Sequence, residues 1–368
     1  MAEVVLASAS QRQVWSNTFW KEYIRESGFS NYMSRESNAI FRILGDLDGK
    51  GGGIVNIPLL GRLKGRGVEG SEVLEGNEED LENFNDQVRI NWIRNGVVVP
   101  KSTSYLTELD LLGAAKAALK DWRAEKLRDR IIAALQSIII PGTTDENGLP
   151  GMDSSVSYAN ATAAQRNTYL VNNTDRIQFG KLRSNSSSGV WATAAATIDN
   201  TDDKLTTALI STAKRLAKNA DPHIRPFRIE DGREYYVLFA NSLAFRDLQG
   251  DTAMQQANRD ARERGIDNPI FQGGDLIWDG VIIREIPELG VISGAGAGGI
   301  DITRNFLCGQ GSVALAWGQG PTPQSDMDRD YRFRPGVAME ELTGQKKVSW
   351  GGKNYGVVEI VTAAVADA

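Results

Sequence analysis

The stretch "GIVNIPLLGRLKGRGVEGSEVLEGNEEDLENFNDQVRINWIRNGVVV", Gly53 to Val99, sets two strand-like runs around an acidic middle. In the first run Val55, Ile57 and Leu59 fall on one face; in the second Val88, Ile90 and Trp92 alternate with Arg89 and Asn91. Pro58 lacks a ladder N–H, which predicts an edge strand. Between the runs, Val68 to Asp86 carries eight acidic residues and no basic one, with glycines at Gly70 and Gly76. The pattern predicts a long two-stranded ribbon, Gly53 to Pro100, ending in a glycine-rich acidic tip. An isolated ribbon is marginal in water, and this tip has no means of burying itself. The ribbon therefore needs another surface to lie against.

Working outward, "SYLTELDLLGAAKAALKDWRAEKLRDRIIAALQS" (Ser104–Ser137) places Tyr105, Leu109, Leu112, Leu119, Trp122, Leu127, Ile131 and Leu135 at near-helical spacing. This predicts one helix of about 50 Å, ended by Pro141-Gly142 and better suited to a strut than to a small core. From Asp145 to Ile198 the composition is loop-like and reads as an irregular, mobile insertion. A second helix is expected from Thr201 to Asn219, with Leu205, Leu209, Ala213 and Leu216 on one face. Asp231-Gly232 marks a hairpin, and short helices follow at "SLAFRDLQ" and "MQQANRDARERG". Strands are expected at "VIIREIPEL" and "ITRNFLCGQGSVALAWG", with a hairpin in "KKVSWGGKNYGVVEIVTAAV". The mixture is α+β, without internal repeats.

The 368 residues allow two domains, or one with large insertions. A 41% hydrophobic and 24% charged composition is that of an ordinary globular chain, and the net charge of −6 provides no basic field to grip nucleic acid. "MAEVVLASAS" has neither the basic start nor the apolar length of a signal peptide, and no apolar run is long enough to span a membrane. Cys308 is the single cysteine, which excludes an intrachain disulfide and a multi-cysteine zinc site. His223, the single histidine, stands between two prolines, Pro222 and Pro226, without a nearby nucleophile and reads as structural or surface-exposed. "GAGAGG" matches a dinucleotide fingerprint through Gly294, Gly296 and Gly299, but a strand pattern follows it where a helix is required. Cys308 beside Phe306 and Leu307 reads as a buried apolar group. Acidic pairs such as Glu78/Glu79 and Asp202/Asp203 read as solvated faces. The run "NRDARERG" (Asn258–Gly265) is either a solvated helix face or an intersubunit contact. No set of residues assembles into catalytic, cofactor or metal chemistry.

Several blocks do resemble a family. "NTDRIQFG", "ATIDNTDDKLTTALISTAKRLAK", "RPFRIEDGREYYVLFANSLAFRDLQGD", "NPIFQGGDLIWDGVIIREIPEL", "CGQGSVALAWGQ", "DYRFRPGVAMEEL" and "KNYGVVEIVTAA" occur in the order seen in tailed-phage major capsid proteins of the group named for the coat protein of coliphage N-four. The resemblance runs from about Asn38 to Val365, matching less clearly between Gly151 and Asn173. It implies the Hong Kong ninety-seven-like capsid fold. Residues 1–44 would be the N-terminal arm and 45–101 the extended loop. Residues 102–149 and 301–368 would form the peripheral domain with its spine helix at 104–137, and 150–300 mainly the axial domain with the irregular insertion.

The resemblance implies a coat protein without active site or cofactor, assembling into hexamers and pentamers around double-stranded DNA that it does not read by sequence. Portal, scaffold and decoration proteins are the further partners it admits. The place of residence is the virion capsid, assembled in the reducing cytoplasm of a bacterial host. Some relatives cross-link through a lysine, which makes Lys64 a position to check. On this reading the ribbon's flanking strands lie across a neighbouring subunit. Glu72, Glu75 and Glu78 would then seek basic partners there, with Arg123 and Arg128 of the spine helix the first candidates. Two readings from other classes stay open: a carboxylate-dependent glycoside hydrolase, and another self-assembling wall or adhesin protein.

Overall fold

A computed structural model describes residues 28–45, 53–71, 73–106, 110–142, 151–228, 232–262 and 276–367. Most of the expected arm (1–27), the glycine-rich break at 46–52, Asp231 of the hairpin turn, and Glu72 lie outside these residues. The chain divides into two compact units: described residues of the smaller fall in 92–126 and 321–341, and the larger takes up the rest.

The larger unit is built on a mixed sheet. Its order is Leu276–Trp278, Val281–Glu285, Glu234–Ala240, Ile302–Cys308, Val357–Ala363 and Ile177–Phe179. Ile302–Cys308 and Val357–Ala363 lie antiparallel, Ile302 opposite Ala363 and Cys308 opposite Val357. Every residue of both strands is buried, so the sheet is covered on both faces. One face, with Leu238, Leu307, Val358 and Ile360, packs on the helices Thr207–Asn219 and Ser242–Gln249. The other, with Val237, Phe239, Phe306, Cys308 and Val357, packs on Leu127, Ile131, Ile132 and Leu135 of a long helix. The alternation of these residues between the two cores is the period-2 geometry of a strand.

The long helix spans Leu111–Gln136, roughly 39 Å, and so starts later than the expected Ser104. Asp110 explains the start, because its carboxylate accepts from the Gly113 N–H at 2.9 Å and caps the first turn. Lys101–Tyr105 forms a separate short helix. The helix also stops short of Pro141-Gly142, since Ile138–Ile140 leaves to pair with Ser154–Val156. The helix from Thr201 likewise begins at Thr207: Thr206 caps it, and Asp199 and Asp203 fold the preceding residues into turns through their N–H groups.

Residues 151–198 overturn the expectation of an irregular insertion. Thr162 and Gln165 form a reciprocal capping box for the helix Ala163–Asn172, and Ile177–Phe179 joins the main sheet parallel to Val357–Ala363. Tyr169, Phe179 and Trp191 are buried together there. The polar residues that resembled a loop are caps. In the smaller unit, Ala115, Leu119 and Val337 form a small core with Leu112 and Met339.

Buried ions finish the C-terminal end of the long helix. Arg304 pairs with Glu359 and donates to the Gln136 carbonyl at 2.7 Å. Lys347 donates to the carbonyls of Ser137 and Leu135 and to the Tyr169 hydroxyl, at 2.7, 3.2 and 3.0 Å. Tyr169 in turn donates to Glu359 at 3.0 Å. These cations meet the carbonyls left without intrahelical partners at a helix end. Burial pushes the Lys347 ammonium down to about 7 and the Tyr169 phenol well above its ordinary value. Glu359 stays ionised against its own desolvation because Arg304 faces it.

The folded state thus holds the Lys347 proton less firmly than the unfolded chain. The stability this group contributes is complete above its ordinary 10.5 and is lost as pH falls through the window to about 7. In thermal unfolding of the subunit at about pH 7 and about pH 10, the wild type should gain stability with pH relative to Lys347→Met. Parallel pH profiles for the two proteins would refute the assignment.

Candidate functional site

The ribbon is real but shorter than expected. Ile54–Leu60 pairs antiparallel with Asn83–Arg89, Val55 opposite Val88 and Leu59 opposite Phe84. Asn91–Val98 leaves to join the five-stranded sheet beside Gly336–Lys347. The alternation through Ile90 and Trp92 therefore belongs to two sheets, and Trp92 is exposed.

The inner face of the ribbon is covered within the same subunit, and its outer face, with Ile54 and Leu60, is the exposed one. Val55, Leu59, Phe84 and Val88 are buried against Ala314, Ala316 and Val348, with Ile57, Trp350 and Tyr355 at the margin. Burial of each such large side chain stabilises by about 1.5–3 kcal/mol relative to exposure. An ion pair locks the register: Asp86, fully buried on the same face, accepts from Lys346 and from the Ser349 N–H at 2.9 Å. Lys346 also donates to the Asp153 carbonyl at 2.8 Å. The sequence signalled nothing about this pair, whose members stand 260 residues apart.

The described residues of 61–82 lie beyond the paired strands. The loop closes at its base with Gly61 N–H donating to the Glu82 carbonyl at 2.8 Å. Glu79 accepts from the N–H groups of Lys64 and Gly65, which holds its carboxyl below the usual range. Lys64 itself reaches Asp221 at 2.8 Å, and that hydrogen bond raises the lysine and lowers the aspartate. Near the tip, Asn77 N–H donates to the Leu74 carbonyl at 2.9 Å and Gly76 N–H to the Glu78 carboxylate at 2.7 Å. Gly76 sits at φ 87°, a left-handed conformation that favours glycine. From Val68 to Asp86, where every charge is acidic, Val73, Leu74 and Leu81 are each more than half exposed. Such a surface, apolar side chains set in one sign of charge, suits contact with a partner.

Of the anticipated site residues, Glu75 and Glu78 are exposed on this loop. Arg123 lies 2.5 Å from Glu341, and Arg128 lies 3.2 Å from Glu288 and 3.1 Å from Asp129. Both arginines thus already face carboxylates of their own chain. His223 is exposed. Cys308 is buried, its thiol pushed up to about 12 by desolvation. "GAGAGG" forms a tight turn with Gly294, Gly298 and Gly299 at positive φ, leading into the strand Ile302–Cys308. Among the described residues no group of three histidine, cysteine or carboxylate side chains is placed to hold a metal ion, and no helix is long and apolar enough to cross a membrane.

Comparison with known proteins gives consistent matches along the whole chain. The family model described as phage capsid protein matches residues 3–366. A curated relative, the major capsid protein of Pseudomonas phage KPP25, is 26% identical over 96% of this chain and 95% of its own. Among solved structures, the capsid asymmetric unit of cyanophage Pam1 superposes with a TM-score of 0.88 at 40% identity, covering all of both chains. The capsid of Ralstonia phage GP4 does so with a TM-score of 0.76 at 22% identity, again over both whole chains.

The Asp86–Lys346 pair allows a direct test of how the ribbon is held. Asp86→Ala leaves a buried lysine without its carboxylate and should cost the subunit about 3–5 kcal/mol, read by denaturant unfolding. The double variant Asp86→Ala/Lys346→Met should recover most of that loss. A single variant as stable as wild type would show that the pair does not hold the ribbon.

Proposed function

The chain belongs to the phage capsid protein family, and from that premise we propose that its subunit works as a tile with one adjustable arm of contact, the acidic loop 61–82. It is a structural protein of the phage head, a major capsid protein residing in the virion capsid among neighbouring subunits. Its α+β architecture is the Hong Kong ninety-seven-like capsid fold.

In the proposed mechanism, head-to-tail contacts between two different surfaces close into hexamers and pentamers, and one contact has to tolerate both ring sizes. The doubly covered sheet keeps the shape of the larger unit. The loop absorbs the change of angle, because glycines at 67, 70 and 76 adopt left-handed conformations there. In the scheme read from sequence, the ribbon is the extended loop, 102–149 with 301–368 the peripheral domain, and 150–300 mainly the axial domain. Each contact can be modest, since every subunit is held by several neighbours. The net charge of −6 suits a wall that encloses double-stranded DNA without binding it. The protein acts as a wall and not as an enzyme, and its assembly in the host cytoplasm, with portal, scaffold or decoration proteins as accessory partners, completes the proposal.

The observation that carries this reading is the contrast within the ribbon: a base bolted into its own subunit and a tip whose leucines and acids stay exposed among the described residues. Deleting Gly65–Asn85 would remove part of the base strand, so the cleaner variant replaces 66–78 by a short glycine-serine linker. Negative-stain microscopy should then show subunits of native secondary structure and few or no closed shells. Shells at the wild-type yield would overturn the tile mechanism.

A further inference from the structure

The acidic loop needs a receiving surface, and the two spine arginines read from sequence are already matched by carboxylates in their own chain. A different surface of the larger unit has the required chemistry. Beside the ribbon base lies a hollow of about 280 Å³, lined by Ile57, Pro58, Leu59, Leu44, Val348 and Tyr355 among others. Arg42 and Arg225 also line it. Both are exposed, and neither has an ion-pair or hydrogen-bond partner for its guanidinium among the described residues. No residue of loop 61–82 lines the hollow.

We propose that this hollow receives the acidic loop of a second copy of the chain, with Leu74 entering as the apolar anchor and Glu75 and Glu78 facing Arg42 and Arg225. The assignment rests on the tile reading and names its contact. The turn closed by Asn77 N–H on the Leu74 carbonyl carries Leu74, Glu75 and Glu78 on one protrusion. The hollow's volume admits one or two such side chains and no helix, the arrangement of a single anchor in a pocket with a polar rim. Charge selects this occupant over the segment 1–27 of the same chain. That segment balances three acids with three bases, whereas 68–86 carries eight acids and no base. Paired arginine and carboxylate at the rim would also set the register of the two copies. Because donor loop and receiving hollow are different surfaces of one chain, the contact is heterologous, the kind that forms a ring when its rotation closes.

The test uses the full chain. Arg42→Glu/Arg225→Glu should lower shell yield more than tenfold, since like charges would then meet at the rim, while the melting temperature of the unassembled subunit stays unchanged. Adding Glu75→Arg/Glu78→Arg should restore shells. In a separate variant, Ser37→Cys (Ser37 lines the hollow) and Leu74→Cys should yield disulfide-linked oligomers from oxidised shells. Cys308 is buried and does not compete. Wild-type yield from the arginine reversal overturns the proposal. So does a loss that the reciprocal acid reversal fails to rescue, which would point to another occupant, such as the arm. So does a disulfide confined within single chains. If the unaltered chain forms no shells, the tile reading falls together with this one; if shells form and the variants behave like wild type, only the docking assignment falls.

Discussion

Arg304 and Glu359 meet on adjacent central strands, two residues out of register and on the same face, where neither can reach water. A buried ion pair is no assurance of stability, because the desolvation of two charges offsets most of their attraction. What it supplies is position. Arg304 turns its third nitrogen, Nη1, to the end of the long helix, and Glu359 holds the Tyr169 hydroxyl, to which Lys347 and Asn354 also donate. Sheet, long helix and the 151–198 segment are therefore aligned by one set of groups that tolerates little displacement. A wall built from repeated subunits needs a fixed shape more than a deep energy minimum.

Legibility in the sequence followed the range of the interactions. The ribbon was legible because strand alternation is local: Val55, Ile57 and Leu59 do share the covered face. Its end at Ile90 was not, since the same alternation continues in Asn91–Val98 while the partner strand changes. The long helix was legible from apolar spacing. Its start was not, because Tyr105 and Leu109 extend the periodicity past Asp110, whose side chain caps the helix. The 151–198 segment was misread for a related reason. Threonine, asparagine and aspartate favour loops when nothing else is known, and here Thr162 and Asn173 satisfy helix ends and Asp153 accepts from the N–H groups of Gly142 and Gly352.

The candidate site divided in the same way. The acidic loop announced itself through composition alone. Its anchoring did not, because Asp86 and Lys346 come together only after the whole fold has formed. Arg123 and Arg128 were reasonable choices from sequence, being cations on a long helix. Only their neighbours Glu341 and Glu288, distant in the chain, show that their charge is already matched. Arg42 and Arg225 carried no signal at all in the sequence, where they are two arginines among many.

Pro58 has a wider meaning than the edge position it marks. The Gly61 N–H and the Gly53 carbonyl both bond to the partner strand, so odd-numbered residues of this strand turn their polar backbone inward and Pro58 falls on the outer edge. There its ring leaves a gap in the row of donors that another strand would need in order to add on. Copies of this chain, present at high local concentration during assembly, are thereby discouraged from joining backbone to backbone into an open-ended ladder. At this edge contact is left to side chains, whose geometry can close on itself.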